Sequence, residues 1–288
     1  MQIKPAQVKE LRERTGAGMM DCKKALVDAA GDLDAAAEIL RKAGQAKADK
    51  KASRVAAEGK ILVASDAGAG RHAIAEVNSE TDFVAKDENF AVFADRVCAA
   101  LLEHEPADVD ALMQLDVGGE TLEEARKALV AKVGENITVR RFDVLVSPAN
   151  VASYVHMGRI GVLVELTGGT PELARDLAMQ VAATAPRYLS AEDVPEAELA
   201  KEREILSAQA AQEGKPEHIL EKMVEGRLRK HLDQITLLGQ AFVKDPDKTV
   251  RELLKEHAAE VKRFLRYEVG EGIDKQAKDF GEEVAALL

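Results

Sequence analysis

Short apolar stripes at helical spacing alternate with charged faces over the first fifty residues. "PAQVKELRERTG" opens with Pro5, suited to a first helical turn, and closes with Gly16, suited to a C-terminal cap. "MMDCKKALVDAAG" and "DLDAAAEILRKAG" repeat the pattern, which predicts three short helices forming a small helical domain. After Gly44 the large apolar residues disappear. "QAKADKKASRVAAEG" gains Lys47, Lys50, Lys51 and Arg54, the composition of a solvated helical or flexible linker, so a domain boundary is expected there.

"GKILVASDAGAGRHAIAEVN" then reads as two strands around a Gly-rich turn, with Ile61, Val63, Ile74 and Val77 as sheet residues. Phe90, Phe93, Val97 and Leu101 recur at three and four residues, predicting a helix whose first turn Asp87 can cap. "NITVRRFDVLVSP", with Ile137, Val139, Phe142 and Val144, supplies one more strand and closes an α+β subdomain near Pro148. Strand material followed by a helix then recurs in "YVHMGRIGVLVELTGG" and "PELARDLAMQVAATAP", so two related subdomains are the economical reading. The second is interrupted by two amphipathic helices joined at Gly214-Lys215-Pro216, an antiparallel hairpin. Strand material resumes in "QITLLGQAFV", a helix follows in "KTVRELLKEHAAE", a last strand in "KRFLRYEV" and a terminal helix from about Lys275.

The fold class is therefore α+β: an N-terminal three-helix domain, a core of two related antiparallel-sheet and helix subdomains, an inserted helical hairpin and a C-terminal helical module. The boundaries drawn are 1–54 for the N-terminal domain with its linker and 55–148 for the first core subdomain. The second subdomain takes 149–190 and 232–271, the hairpin 191–231 and the C-terminal module 272–288.

Composition narrows the function. A chain of 288 residues that is 46% hydrophobic can bury a core in two or three units. "MQIKPAQVKELRER" has no continuous apolar stretch, so neither a signal peptide nor a membrane span is expected, and the cytoplasm is the default compartment. Cys22 and Cys98 lie far apart, outside any metal or disulfide pattern. A net charge of −11 and 3% aromatic residues without Trp argue against broad nucleic-acid binding and favour a protein partner. No phosphate loop, zinc-protease helix or nucleophile elbow occurs, and "GAGMMD" lacks the third Gly and the preceding strand of a dinucleotide fingerprint. The six His residues show no metal spacing. No catalytic residue, metal or cofactor is assigned. The basic linker could hold phosphates, as in an RNA-binding translation-associated protein, but without interleaved aromatics a solvated face is the simpler reading.

"NSETDFVAKDENF" poses the sharpest question, because it sets Phe83 among polar neighbours. Ser79 followed by Asp82 looks like a capping box, under which Phe83 would pack beneath a helical turn; the alternative is an aromatic displayed for a partner. This stretch, "VKELRERTGAGMMDCKKAL", "KVGENITVRR", "HMGRIGVLV", "GKPEHILEKMVEGR" and "LLKEHAAEVKRFLRYEVGEGI" together resemble bacterial elongation factor Ts along essentially the whole chain. The resemblance implies a ubiquitin-associated-like first domain and a guanine nucleotide exchange factor that makes or breaks no covalent bond. Its partner would be elongation factor Tu, GDP-bound or nucleotide-free, and dimerisation through the helical hairpin is left open. It also implies that Thr81, Asp82, Phe83 and Val84 disturb the partner's Mg²⁺ site, with Phe83 as the wedge. Val8, Lys9, Arg12, Met19, Met20, Lys23, Val133, Gly134, His156 and Val243 match contact positions, while Lys244 stands where the family pattern has a methionine. At helical spacing Met19 or Met20 is more often core than interface, so the pattern alone leaves those two open.

Overall fold

The computed structural model describes residues 3–213 and 215–274, and the terminal helix expected from about Lys275 lies outside them. Helices α1 (Pro5–Thr15), α2 (Met19–Asp28) and α3 (Leu33–Lys51) come first. Strands β1 (Glu58–Asp66) and β2 (Arg71–Ser79) lead to α4 (Asp82–Ala85), α5 (Glu88–His104), α6 (Val109–Met113) and α7 (Leu122–Val133). Next are β3 (Thr138–Val146), β4 (Asn150–His156), β5 (Ile160–Thr167), α8 (Pro171–Thr184), α9 (Glu196–Ala211) and α10 (Glu217–Ile235). Strands β6 (Ala241–Phe242) and β7 (Asp245–Thr249), helix α11 (Val250–Glu256) and strand β8 (Glu260–Glu268) complete the order. The chain divides into two compact units, one of residues 1–66, 73–145 and the segment from Tyr267, the other of 67–72 and 146–266.

In the first unit the three N-terminal helices enclose a small core of Leu11, Cys22, Ala25, Leu26 and Ala36. Gly16 ends α1 in the left-handed conformation (φ 67°), and the Asp32 carboxylate starts α3 by accepting from the Asp34 and Ala35 N–H groups. The first half of the segment read as a linker, 45–51, belongs to α3, and one side of that helix end is not solvated. Gly44 and Ala48 are buried, and a Cβ on Gly44 would stand 3.1 Å from that of Ala131 on α7. Small residues there let two helices close up, and Ala48 joins the main core. Helix α7 is an addition to the expected elements, although its sequence carries the signals: Leu122, Ala125, Leu129 and Val130 form a buried stripe, Thr121 and Glu124 its capping box and Gly134 its C-terminal cap.

The sheet β1-β2-β3 packs against α5 and α7 through Val77, Phe90, Phe93, Val97, Leu101, Leu129, Val130 and Ile137, so the predicted stripe of α5 is wholly buried. Asp87 caps that helix by accepting from Asn89 N–H at 2.8 Å. The opposite face of β2 carries a fully buried carboxylate, Glu76. Arg140 donates to it at 3.1 and 3.2 Å, Arg141 at 2.7 Å, Asn78 at 3.0 Å and the Gly270 N–H at 2.8 Å. Burial pushes the Glu76 carboxyl upward, but the donors at Gly270, Asn78, Arg141 and Arg140 outweigh it and hold the group below the ordinary glutamate range.

In the second unit β4 and β5 pair antiparallel from Asn150↔Leu166 to His156↔Ile160, and the sheet runs β4-β5-β8. Helices α8 and α11 cover it through Leu173, Leu177, Val181, Val250, Leu253 and Leu254. "QITLLGQAFV" is not the strand expected. Its first residues end α10, Thr236 makes a single parallel bridge to Tyr188, and only the short β6 pairs as a strand, antiparallel to β7. The buried Gln180 amide adds to that pairing, donating to the Ala241 carbonyl at 3.1 Å and accepting from Val243 N–H at 2.7 Å. Helices α9 and α10 form the expected hairpin around their own core of Leu206, Ala210, Val224 and Leu228. Leu206 and Val224 therefore face inward and Met223 is half-buried.

Two outcomes follow from these contacts. Glu76→Gln removes the charge that two arginines share, and loss of one partner from a buried ion pair costs about 3–5 kcal/mol, the lower end being expected because both arginines are partly solvated. The wild-type contribution is present above an ordinary glutamate pKa of 4.5 and is lost as pH falls through the lowered folded value, so urea midpoints of wild type and variant converge under acid. A fragment beginning at Val55 loses the seam of Gly44 and Ala48 against α7, and thermal unfolding should show a lower midpoint than the full chain.

Candidate docking surface

Strand β2 runs out into Ser79-Glu80-Thr81, and this short connection decides where Phe83 points. Ser79 Oγ donates to the Thr81 carbonyl at 2.8 Å, while Thr81 Oγ1 accepts from Val84 N–H at 3.3 Å and so caps α4. Thr81 is the cap, not Ser79. Across from it lies the turn between α7 and β3: Glu135 accepts from Thr81 N–H at 2.9 Å and from Thr81 Oγ1 at 2.7 Å. The exchange is reciprocal, because Glu80 accepts from Asn136 N–H at 2.7 Å. Asn136 in turn donates its amide to the Arg54 carbonyl at 2.8 Å, and Arg54 reaches Glu80 at 3.5 Å.

With both loops clasped, the single turn of α4 has a fixed orientation. Ala85 is buried, Val84 packs partly against the main core, and Phe83 is 80% exposed. The helical turn expected at "SETD" exists, but Phe83 does not pack beneath it. Asp82 is held by Lys86 at 2.7 Å, an exposed pair worth little by itself.

The other positions suggested by resemblance fall on both units. On α1, Lys9 and Arg12 are exposed and Val8 is half-buried against the small core. On α2 the buried stripe belongs to Cys22, Ala25 and Leu26, so Met19 (60% exposed) and Met20 (74%) face outward beside exposed Lys23. The bias toward core at those methionines is corrected here. Val133 is half-buried, and Gly134, at φ 83°, offers its carbonyl to the Lys51 ammonium. In the second unit His156 is exposed at the end of β4, with Nδ1 3.1 Å from the Tyr154 hydroxyl oxygen. Val243 is exposed after β6, and Lys244 pairs with Asp176 at 2.6 Å.

Reactive chemistry is sparse. Burial pushes the Cys98 thiol up to about 12, so it stays protonated and unreactive at neutral pH. Among the described residues, no group of three or more His, Cys, Asp or Glu side chains could hold a metal ion. No helix among them is long and apolar enough to cross a membrane. The basic segment is partly used within the chain: Lys47 pairs with Asp21 at 2.8 Å, Lys51 with the Gly134 carbonyl and Arg54 with Glu80. The clasp residues Glu80, Glu135 and Asn136 had no site role in the sequence; "GENI" lies within a quoted motif, but no spacing announces that it meets Thr81, 54 residues away.

Phe83, Met19 and Met20 are thus large apolar side chains displayed at the surface, the first on a turn braced by hydrogen bonds. A family model described as "Elongation factor TS" matches residues 80–271. The chain is 58% identical over 288 residues to elongation factor Ts of Thioalkalivibrio sulfidiphilus, covering 99% of this chain and 98% of that one. Against the proteins of the same name from Halorhodospira halophila and Xanthomonas campestris pv. campestris the identities are 54% and 55%, over 100% and 99% of this chain and 99% and 98% of theirs. The chain belongs to the elongation factor Ts family, among the factors of translation elongation.

Unfolding measurements separate a displayed aromatic from a packed one. Phe83→Ala should change stability by well under about 1 kcal/mol, whereas the same truncation at buried Phe90 should cost about 3–5 kcal/mol. Equal losses would show that Phe83 is covered in solution.

Proposed function

We propose that this chain is a guanine nucleotide exchange factor for elongation factor Tu in translation elongation, working in the cytoplasm and making or breaking no covalent bond. The observation that carries the reading is Phe83, an aromatic side chain left 80% exposed at the head of a turn held by four hydrogen bonds to Thr81 and Asn136 and within the Ser79–Val84 loop. A large apolar group displayed on a rigid support fits a pocket on another protein.

In this reading Thr81, Asp82, Phe83 and Val84 act on the partner's Mg²⁺ site. Mg²⁺ neutralises phosphate charge and helps to hold the nucleotide, so a wedge that shifts the elements around it weakens GDP binding without touching the guanine. Reciprocity then follows: if the factor lowers nucleotide affinity, nucleotide lowers affinity for the factor by the same ratio, and incoming GTP expels it. Val8, Lys9, Arg12, Met19, Met20 and Lys23 provide a second contact region, Val133 and Gly134 a third, and His156 and Val243 contacts from the other unit. The N-terminal helices to residue 54 are the docking domain, with the core subdomains and the hairpin at 191–231 arranged as the sequence suggests. Both GDP-bound and nucleotide-free elongation factor Tu are partners.

The direct measurement is loss of labelled GDP from purified elongation factor Tu on adding this protein. Phe83→Ala should slow the accelerated release by about thirtyfold, the equivalent of losing one aromatic hot spot of about 2 kcal/mol. Full acceleration by a correctly folded Phe83→Ala protein would remove the wedge, and no acceleration by the wild type would remove the exchange reading altogether.

A further inference from the structure

The clasp between the two loops singles out one residue outside the wedge itself, Glu135, that holds the residue capping the turn of Phe83. Helix α4 has four residues, Asp82–Ala85, too few to hold a helical turn by backbone hydrogen bonds alone. Beside the packing of Val84 and Ala85, its order depends on its cap, which Thr81 supplies. Thr81 is in turn gripped at both of its donors by a single carboxylate, Glu135, at 2.9 Å to the N–H and 2.7 Å to Oγ1. With its hydroxyl hydrogen committed to Glu135, Thr81 Oγ1 presents lone pairs to the Val84 N–H. One carboxylate thus fixes both the backbone and the side-chain rotamer of the capping residue.

From this geometry we infer that Glu135 is a positioning residue for the Phe83 wedge: it acts through Thr81 to keep α4 formed before any partner arrives. The inference rests on the proposed wedge for its functional consequence, though not for its structural one. Its physical basis is preorganisation. Without the carboxylate, Thr81 loses two charge-assisted acceptor contacts, the cap weakens and Phe83 samples orientations that do not fit a pocket. Apparent affinity is then multiplied by the fraction of molecules whose wedge is formed, so the apparent Kd rises, while a complex that has formed is unchanged. The same turn touches the N-terminal domain, since Asn136 donates to the Arg54 carbonyl and the Gly134 carbonyl accepts from Lys51, so the end of α3 and the wedge share one support.

A partner-free test uses the absence of tryptophan from the chain: Phe83→Trp places a single fluorophore at the wedge. Time-resolved anisotropy should show added fast local motion at residue 83 when Glu135→Ala is introduced, and less with Glu135→Gln, whose amide oxygen can still accept from Thr81. Unchanged motion in both would overturn the inference, whatever the protein does to a partner. In GDP release, Glu135→Ala should raise the half-saturating concentration of factor about tenfold and leave the maximal rate within about twofold. A fall in maximal rate with unchanged half-saturation would contradict preorganisation.

A double-mutant cycle on affinity for nucleotide-free elongation factor Tu completes the test. If Glu135 acts through Phe83, Glu135→Ala should weaken binding by less than about twofold in the Phe83→Ala background. A full tenfold loss there would make Glu135 a direct contact or a general structural residue and overturn the inference. Should Glu135→Ala fail to fold by circular dichroism, Glu135→Gln carries the same comparisons with a smaller expected effect. If Phe83→Ala leaves GDP release intact, the wedge reading fails while the anisotropy result still decides whether Glu135 positions residue 83.

Discussion

The two faces of β2 set the constraint on which this protein's working loop depends. Alternate residues of a strand share a face, so Ala73, Ala75 and Val77 enter the main core while Glu76 and Asn78 point the other way, both fully buried. A buried carboxylate is tolerable only if its charge is met, and Arg140 and Arg141 on β3 meet it. Asn78 adds a bond to the Glu58 carbonyl on β1, so the polar file stitches all three strands. Register follows from this. A slip by one residue would put Val77 against the arginines and Glu76 into the core, which leaves one acceptable pairing. Gly59 tightens the fit, since a Cβ there would lie 2.1 Å from the Val77 carbonyl oxygen.

That fixed strand is what allows an aromatic to be displayed. Where β2 ends, the polar file continues into Glu80, whose carboxylate takes the Asn136 N–H, and the neighbouring Thr81 is taken by Glu135. Phe83 then stands on a turn whose every anchor leads back to the sheet. An exposed aromatic contributes nothing to folding, and on a floppy loop it would lose much of its binding energy to ordering. On a braced turn most of that loss has already occurred during folding. Polar residues around Phe83 in the sequence are therefore its support, not a contradiction of its hydrophobicity.

Much of this architecture was legible from periodicity because the relevant signals are local. The α5 stripe, the Asp87 cap, Pro5 and Gly16 around α1, and the strands flanking the Gly-rich turn all depend on residues within a few positions of each other. What escaped the sequence depends on distant partners. The segment after Gly44 looked solvated because it lacks large side chains, yet small residues are what let α3 approach Ala131. "QITLLGQAFV" has strand composition, but its backbone is shared out among distant partners: Leu237 and Leu238 N–H donate to the Tyr188 and Leu189 carbonyls, and Gln180 takes the Ala241 carbonyl and the Val243 N–H. Met19 and Met20 fit a helical stripe in spacing, and Cys22, Ala25 and Leu26 occupy the buried side instead. For the loop carrying Phe83, pattern recognised a helical turn and left both orientations open; the resemblance implied the outward one, and Glu135 meets Thr81 only across 54 residues of folded chain.

Charge adds a last consideration about how such a surface would find its partner. The chain carries a net charge of −11, which keeps it soluble but gives it no general attraction for an acidic protein. Lys9 and Arg12 are nevertheless exposed on α1, and Lys23 is exposed on α2, the helix that also displays Met19 and Met20. Lys9 pairs with exposed Glu13 at 3.7 Å, an interaction that salt and entropy largely cancel. This combination places cations, which orient an encounter over about 10 Å at moderate salt, next to flexible thioethers, which adapt to an apolar surface once contact is made. Phe83 offers the opposite physics, with no charge of its own and a fixed support. On the proposed exchange reading, a division of labour follows from the side chains: the N-terminal patch suits capture and tolerates imprecision, whereas the clasped Phe83 suits insertion into a pocket of defined shape.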